Sequence, residues 1–358
     1  MTRNYIDKKN TDIIKGIAIC MMLIHHFFTF PSWYHEYSYP YMNGFAAIFQ
    51  DPFKSCVAIF AFLTGYFYCY NKKKNLKYSL KKITDLLISH FVVFALLCVI
   101  SIVLKCYVFS FQSLGLELLG LQGEIMVFSW YVSFYIISLV LIPFFAKLAD
   151  KHILAAISTG VLLPIILLYI YNTYFKVSIT PIDSAINSLD WFSVMAMGYI
   201  FARYEVFYRV FDAIFYHKIP HFLQIIISIL LVFFAFMGRY ILGGVNLSFV
   251  FFGLYLRLDI IYAPLFIYAL INLLNCIKWK SILFPLKKMG EYSLYIWFIH
   301  AVFFNCCGKY TQKLLYFPKN PFLVFVWGAL ICFGAAVILS FPSKLLISLK
   351  NRLLFKKS

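Results

Sequence analysis

The chain has 358 residues, of which 63% are apolar and only 13% charged, and its mean hydropathy is +0.83. Soluble domains carry about 25% charged residues, so this composition excludes a water-soluble fold and describes an integral membrane protein. The net charge of +18 lies in short Lys/Arg clusters between apolar stretches, a membrane pattern rather than a nucleic-acid footprint. No nucleic-acid partner is expected. The nine cysteines form no C-x-x-C spacing, and Cys20, Cys56, Cys98 and Cys332 lie inside apolar stretches, so neither a disulfide framework nor a metal site is expected. The N-terminus is polar through Lys9 and no small-residue cleavage site follows the first apolar run, which is therefore expected to be a retained helix.

A helix needs about 20 apolar residues to cross the hydrocarbon core. That length marks ten expected spans, at 12–30, 45–70, 83–104, 128–146, 153–172, 185–203, 221–238, 248–274, 291–308 and 321–343. The expected fold class is an all-α polytopic bundle, one membrane domain over residues 1–358 with cytoplasmic tails at about 1–11 and 344–358. Asn187 and Asp190 interrupt the start of the sixth span, and the stretch Ser113–Met126 is too short and too polar to cross, so it is expected at the outer surface. No internal repeat is visible, which gives an inverted-repeat transporter no support. Basic residues crowd alternate connections, above all Lys72–Lys82, Lys278–Lys288 and Lys344–Lys357, and by the positive-inside rule both termini are expected in the cytoplasm of a multi-pass cell-membrane protein. Lys309, Lys313 and Lys319 in the last outer loop depart from that rule without explanation. Aromatic residues crowd the first outer loop, Pro31–Tyr41, where rings suit the interface.

Ionisable residues at membrane depth are costly, so each raises a functional question. In the first span, Lys15 and His26 are eleven residues apart, which returns the helix to within about 20° of the same face and separates them by about 16 Å along the axis. His25 points roughly 80° away from Lys15, and Asp12, one turn before Lys15, is placed to pair with it. Snorkelling explains a lone interfacial lysine, and an interhelical hydrogen bond explains a lone histidine; both on one stripe point towards function. In the second span, Asp51 and Lys54 are spaced to neutralise each other. The run IFAFLTGYF, Ile59–Phe67, places Thr64, Gly65 and Tyr66 late in that span, where a small-residue helix contact is the plainest account. SWYVSFY, Ser129–Tyr135, opens the fourth span with Trp130 at the expected interface. Arg257 and Asp259 in the eighth span point to different sides, so each needs a partner on another helix. The ninth span opens as EYSLYIWFIH, with Glu291, Ser293, Tyr295 and Trp297 leading to His300 about 12 Å further in.

Taken together, these segments resemble acyltransferase family 3, a family of integral membrane acyltransferases. Its signature is a basic residue, ten intervening residues and a histidine in the first membrane helix, which here is Lys15 to His26 within DIIKGIAI. FAFLTGYF, SWYV and YSLYIWFIH continue the resemblance in the family's order over most of the chain. Thr64 stands where serine is usual, and Lys15 where arginine is also common; lysine lacks arginine's bidentate fork for phosphate. The resemblance implies transfer of an acyl group, usually acetyl from acetyl-CoA, to a hydroxyl of a sugar, a surface polysaccharide or a lipid-linked glycan beyond the membrane. It implies His26 and His300 as catalytic residues, with His26 as general base, and Lys15 against the anionic acyl-CoA. His25, Thr64, Tyr66, Trp130, Arg257, Asp259, Glu291, Ser293 and Tyr295 are expected in support. Acyl-CoA would act as co-substrate, with no cofactor and no metal. A transporter or flippase for a polysaccharide precursor is the alternative, with Lys15, His26, Arg257 and Asp259 lining a polar pathway; a noncatalytic partner of a polysaccharide synthase is a third reading.

Overall fold

A computed structural model describes residues 4–29, 52–107, 110–121, 123–175, 189–215, 219–243, 258–277 and 280–354, together with Asp183 and Ile186. The Pro31–Tyr41 loop, Asp51 and Arg257 lie outside the described residues. Among those described, the chain is helical and no strand occurs. In order, the main helices are α1 Lys8–Thr29, α2 Ser55–Cys69, α3 Leu76–Val103, α4 Phe111–Leu118, α5 Trp130–Ala149, α6 Ile153–Phe175, α7 Leu189–Arg203, α8 His221–Gly243, α9 Asp259–Cys276, α10 Phe284–Glu291, α11 Ser293–Ile299, α12 Gly308–Leu315 and α13 Pro321–Leu354, with short helical turns at Phe207–Phe211 and Asp212–Phe215 after α7.

Helix stands at the place of each of the ten expected spans, and seven (α1, α3, α5, α6, α8, α9 and α13) are long and apolar enough to cross a bilayer. In the other three, 15 residues each are described in α2 and α7, and α11 tightens into a 3₁₀ turn at His300–Phe303. The starts expected at 45 and 248 lie outside the described residues, and two departures elsewhere have a visible cause. The start of α3 moves back from 83 to Leu76 because the Asn75 side chain accepts from the Tyr78 backbone N–H at 2.9 Å, an N-cap that starts the helix within its lysine-rich turns. The last helix continues past the expected end at 343 to Leu354, carried through Pro342. Lys350 holds that extension against α3 through an ion pair with Asp85 and a 3.1 Å hydrogen bond to Thr84.

Two pairs of helices cross at glycine. A side chain at Gly65 of α2 would strike the Met195 carbonyl of α7, and one at Gly198 of α7 would strike the Phe62 carbonyl of α2. Gly16 of α1 and Gly290 of α10 meet Leu286 and Asp12 in the same way. Close backbone approach of this kind is how membrane helices associate where water offers no hydrophobic drive. These crossings bring α1 against α10 and α2 against α7, while α8 turns Ile229, Phe233 and Phe234 outward. Because the atoms met at Gly198 are backbone, Gly198→Val has no flexible neighbour to displace. Overpacking costs about 1–3 kcal/mol, so a clear fall in Tm in detergent is expected, measured against Gly334→Val, whose Cβ meets open space.

Candidate active site

The first helix carries Met22, His25 and His26 into the packed interior, where all three are buried. The C-terminal end of α1 is tied down by Tyr316, whose hydroxyl donates to the Phe27 carbonyl at 2.8 Å. From the opposite side, the 3₁₀ turn after α11 presents His300, which has no exposed surface. His26 Nδ1 and His300 Nε2 are 2.8 Å apart. Their rings are parallel within 4° at a centroid separation of 4.8 Å, and with so short an N···N contact they meet edge to edge. Phe128 covers one face of both, 3.9 Å from His26 and 4.8 Å from His300, with 9° between planes in each case.

The hydrogen bonds settle the tautomers. His300 Nδ1 contacts the Trp297 carbonyl, and a carbonyl only accepts, so that nitrogen carries the proton. Neutral His300 therefore offers Nε2 as acceptor, and His26 must donate from Nδ1 across the 2.8 Å contact. The lone pair of neutral His26 is thereby placed on Nε2. An imidazole oriented at one nitrogen with a lone pair at the other is the arrangement of a general base. Met22 Sδ lies 3.1 Å from His26 Nδ1 and packs the same edge. Among the described residues, no group of three His, Cys, Asp or Glu side chains converges as metal ligands do.

A cavity of about 770 Å³ leads towards this pair, lined by α1, α2, α3, α5 and α11. One end carries Asn4, Lys8, Asp12, Lys15 and Lys82; the other is closed by Phe60, Tyr131 and Trp297. Lys15 is half-buried, with Asp12 and Lys82 as its charged neighbours. Thr64, Ser293 and Tyr295 also line the cavity. Thr64 bonds back to the Phe60 carbonyl at 2.8 Å, and the Tyr295 hydroxyl lies 3.3 Å from that of Ser89. Trp297 forms the partition. Its ring lies 4.9 Å from Tyr131 and 5.9 Å from Phe60 on the cavity side, and 6.4 Å from His300 on the other.

Other expected supporting residues stand apart from the cavity. The Tyr66 hydroxyl accepts from the Tyr5 backbone N–H at 3.0 Å and from Tyr70 at 3.4 Å, so it anchors the N-terminal segment. Trp130 packs against Tyr131 and Trp191. Glu291 is ion-paired with Lys287 and Lys288. Asp259 does find its partner on another helix, Arg239 of α8. His25 lies beside His26, ring centroids 5.1 Å apart at 49°. Spacing along one helix could not foresee the contacts of Tyr66 with Tyr5, Trp130 with Trp191 and Asp259 with Arg239, because those partners lie on other segments.

Phe128 and Glu117 were missed by the sequence reading. Nothing distinguishes Phe128 in a chain that is 21% aromatic. Glu117 did leave a signal, as a lone carboxylate in the apolar run LGLELLGL. Its side chain is fully buried within the protein and accepts backbone N–H bonds from Glu124, Ile125 at 3.0 Å and Met126 at 3.1 Å. Burial pushes its carboxyl up from the ordinary range, and those three donors oppose the shift.

A bundle of long apolar helices around a buried imidazole pair, approached by a cavity that carries lysines at one end, is the architecture of a multi-pass membrane protein. The acyltransferase domain of acyltransferase family 3 matches residues 8–341, nearly the whole chain, and the chain belongs to that family. It is a membrane acyltransferase. No curated protein and no solved structure matches it.

Proposed function

We propose that the protein moves an acetyl or other short acyl group from acyl-CoA to a hydroxyl of a sugar, polysaccharide or lipid-linked glycan on the far side of the cell membrane. The observation that carries this reading is the cavity that begins among Lys8, Lys15 and Lys82 and ends on the Trp297 wall of the imidazole pair. Coenzyme A is polyanionic and cytoplasmic, and the lysine-rich end accords with its phosphates by charge and with a cytoplasmic side by the positive-inside rule. In this reading both termini are cytoplasmic. The thioester extends along the cavity towards Trp297, while the acceptor approaches His26 from the outer half of the bundle.

His26 Nε2 takes the proton of the acceptor hydroxyl as its oxygen attacks the thioester carbonyl. The C–O bond forms, the C–S bond breaks, and the coenzyme A thiolate leaves, to be protonated by the imidazolium. His300 accepts from His26 Nδ1 throughout, which keeps the ring oriented and steadies the positive charge that develops on it. The deciding experiment reconstitutes the purified protein in vesicles with acyl-CoA on one side only. Release of coenzyme A thiol should require both a glycan hydroxyl acceptor and donor on the face bearing Lys72–Lys82. Glycan movement across the vesicle without thioester consumption would overturn the proposal in favour of transport.

A further inference from the structure

The Glu117 carboxylate is connected to the imidazole pair through its bonds to the short segment Glu124–Phe128. Helix α4 ends at Gly120, whose φ of +71° is left-handed and favours glycine, and a side chain there would strike the Ser129 carbonyl. The backbone N–H groups of Glu124, Ile125 and Met126 all fall on the Glu117 carboxylate. The other side of the same segment is held by the turn that follows His300. Asn305 Nδ2 donates to the Ile125 carbonyl at 3.2 Å, and the Cys306 N–H donates to the Glu124 carbonyl at 3.3 Å. Two residues past Met126 comes Phe128, whose carbonyl receives the Trp297 indole N–H at 3.5 Å and whose ring lies flat on both histidines.

We propose that Glu117 is a positioning residue for the imidazole pair: its carboxylate clamps the Glu124–Phe128 segment, which holds the Phe128 ring over His26 and His300. A carboxylate suits this task because its two oxygens accept three neighbouring N–H groups and donate nothing. Glutamine has one acceptor oxygen, and its NH₂ would face a backbone N–H. With the clamp loosened, Phe128 tilts off the pair, water reaches the imidazoles, and the His26–His300 alignment is lost. The catalytic half of this inference rests on the acyl-transfer reading; the clamp itself does not.

The test uses the full-length protein in detergent, with Glu117→Gln, Glu117→Asp and Phe128→Leu. Diethylpyrocarbonate modification of each histidine is followed by mass spectrometry, with the exposed His152 and His221 as internal references. Glu117→Gln and Phe128→Leu should make His26 and His300 react several-fold faster than in the parent protein, and Glu117→Asp should return part of the protection. Per folded molecule, Glu117→Gln should lower kcat by up to about 10²-fold, the order of loss that a small misplacement of a catalytic group produces. The acyl-CoA KM should hold, since the lysine-lined end of the cavity is untouched. Adding Phe128→Leu to Glu117→Gln should cost little more than either alone, because both act through one contact. Unchanged His26 and His300 reactivity in Glu117→Gln, or losses that multiply in the double variant, would overturn the clamp. Faster labelling in a protein that transfers no acyl group would leave the clamp standing and overturn the acyl-transfer reading instead.

Discussion

His26→Ala should lower the acyl-transfer rate by about 10²–10⁴-fold, the range that general-base catalysis contributes, while expression and acyl-CoA binding stay near those of the parent. The expectation follows from the tautomers. His300 Nδ1 is bound to the Trp297 carbonyl and His300 Nε2 accepts from His26 Nδ1, so Nε2 of His26 is the imidazole nitrogen placed to take a proton. His300→Ala should fall between His26→Ala and the milder His25→Ala, because it removes the orienting acceptor and leaves the base itself in place. The kcat/KM profile of the parent should carry an ascending limb with pH that vanishes in His26→Ala. Stopped-flow or radiolabel transfer assays on matched amounts of folded protein decide the matter. A wild-type rate in His26→Ala would remove the imidazole pair from the chemistry.

Lys15→Ala should act on the other end of the cavity, raising the KM for acyl-CoA with kcat largely kept. A hydrogen bond to a charged group is worth about 1.5–3 kcal/mol, or roughly one to two decades in affinity at about 1.4 kcal/mol per decade. Lys15→Arg should keep most of the binding, since the charge persists and guanidinium adds a second donor to phosphate. The two phenotypes separate cleanly because Lys15 and His26 stand about 16 Å apart along one helix. Titration of donor at saturating acceptor gives the comparison, and an unchanged donor KM in Lys15→Ala would leave Lys15 as an interfacial anchor.

The sequence by itself determined that this is a polytopic helical membrane protein, where its helices stand, and to which family it belongs. Partition into hydrocarbon is a local property, summed residue by residue over some twenty positions, so runs such as Leu86–Val103 declare themselves without knowledge of their neighbours. Lys15 and His26 were legible for the same reason: their relation lies within one helix and follows from its pitch. Only the tertiary structure decided the pairing of His26 with His300, residues 274 positions apart, the covering of both by Phe128, and the burial of Glu117. It also drew Tyr66 to the N-terminal segment and Asp259 to Arg239. In hydrocarbon, helices associate through close packing and directed polar contacts. The partner of each buried polar group is therefore set by where backbones cross, as at Gly16–Gly290 and Gly65–Gly198, and a crossing joins two distant segments that no single stretch of sequence contains.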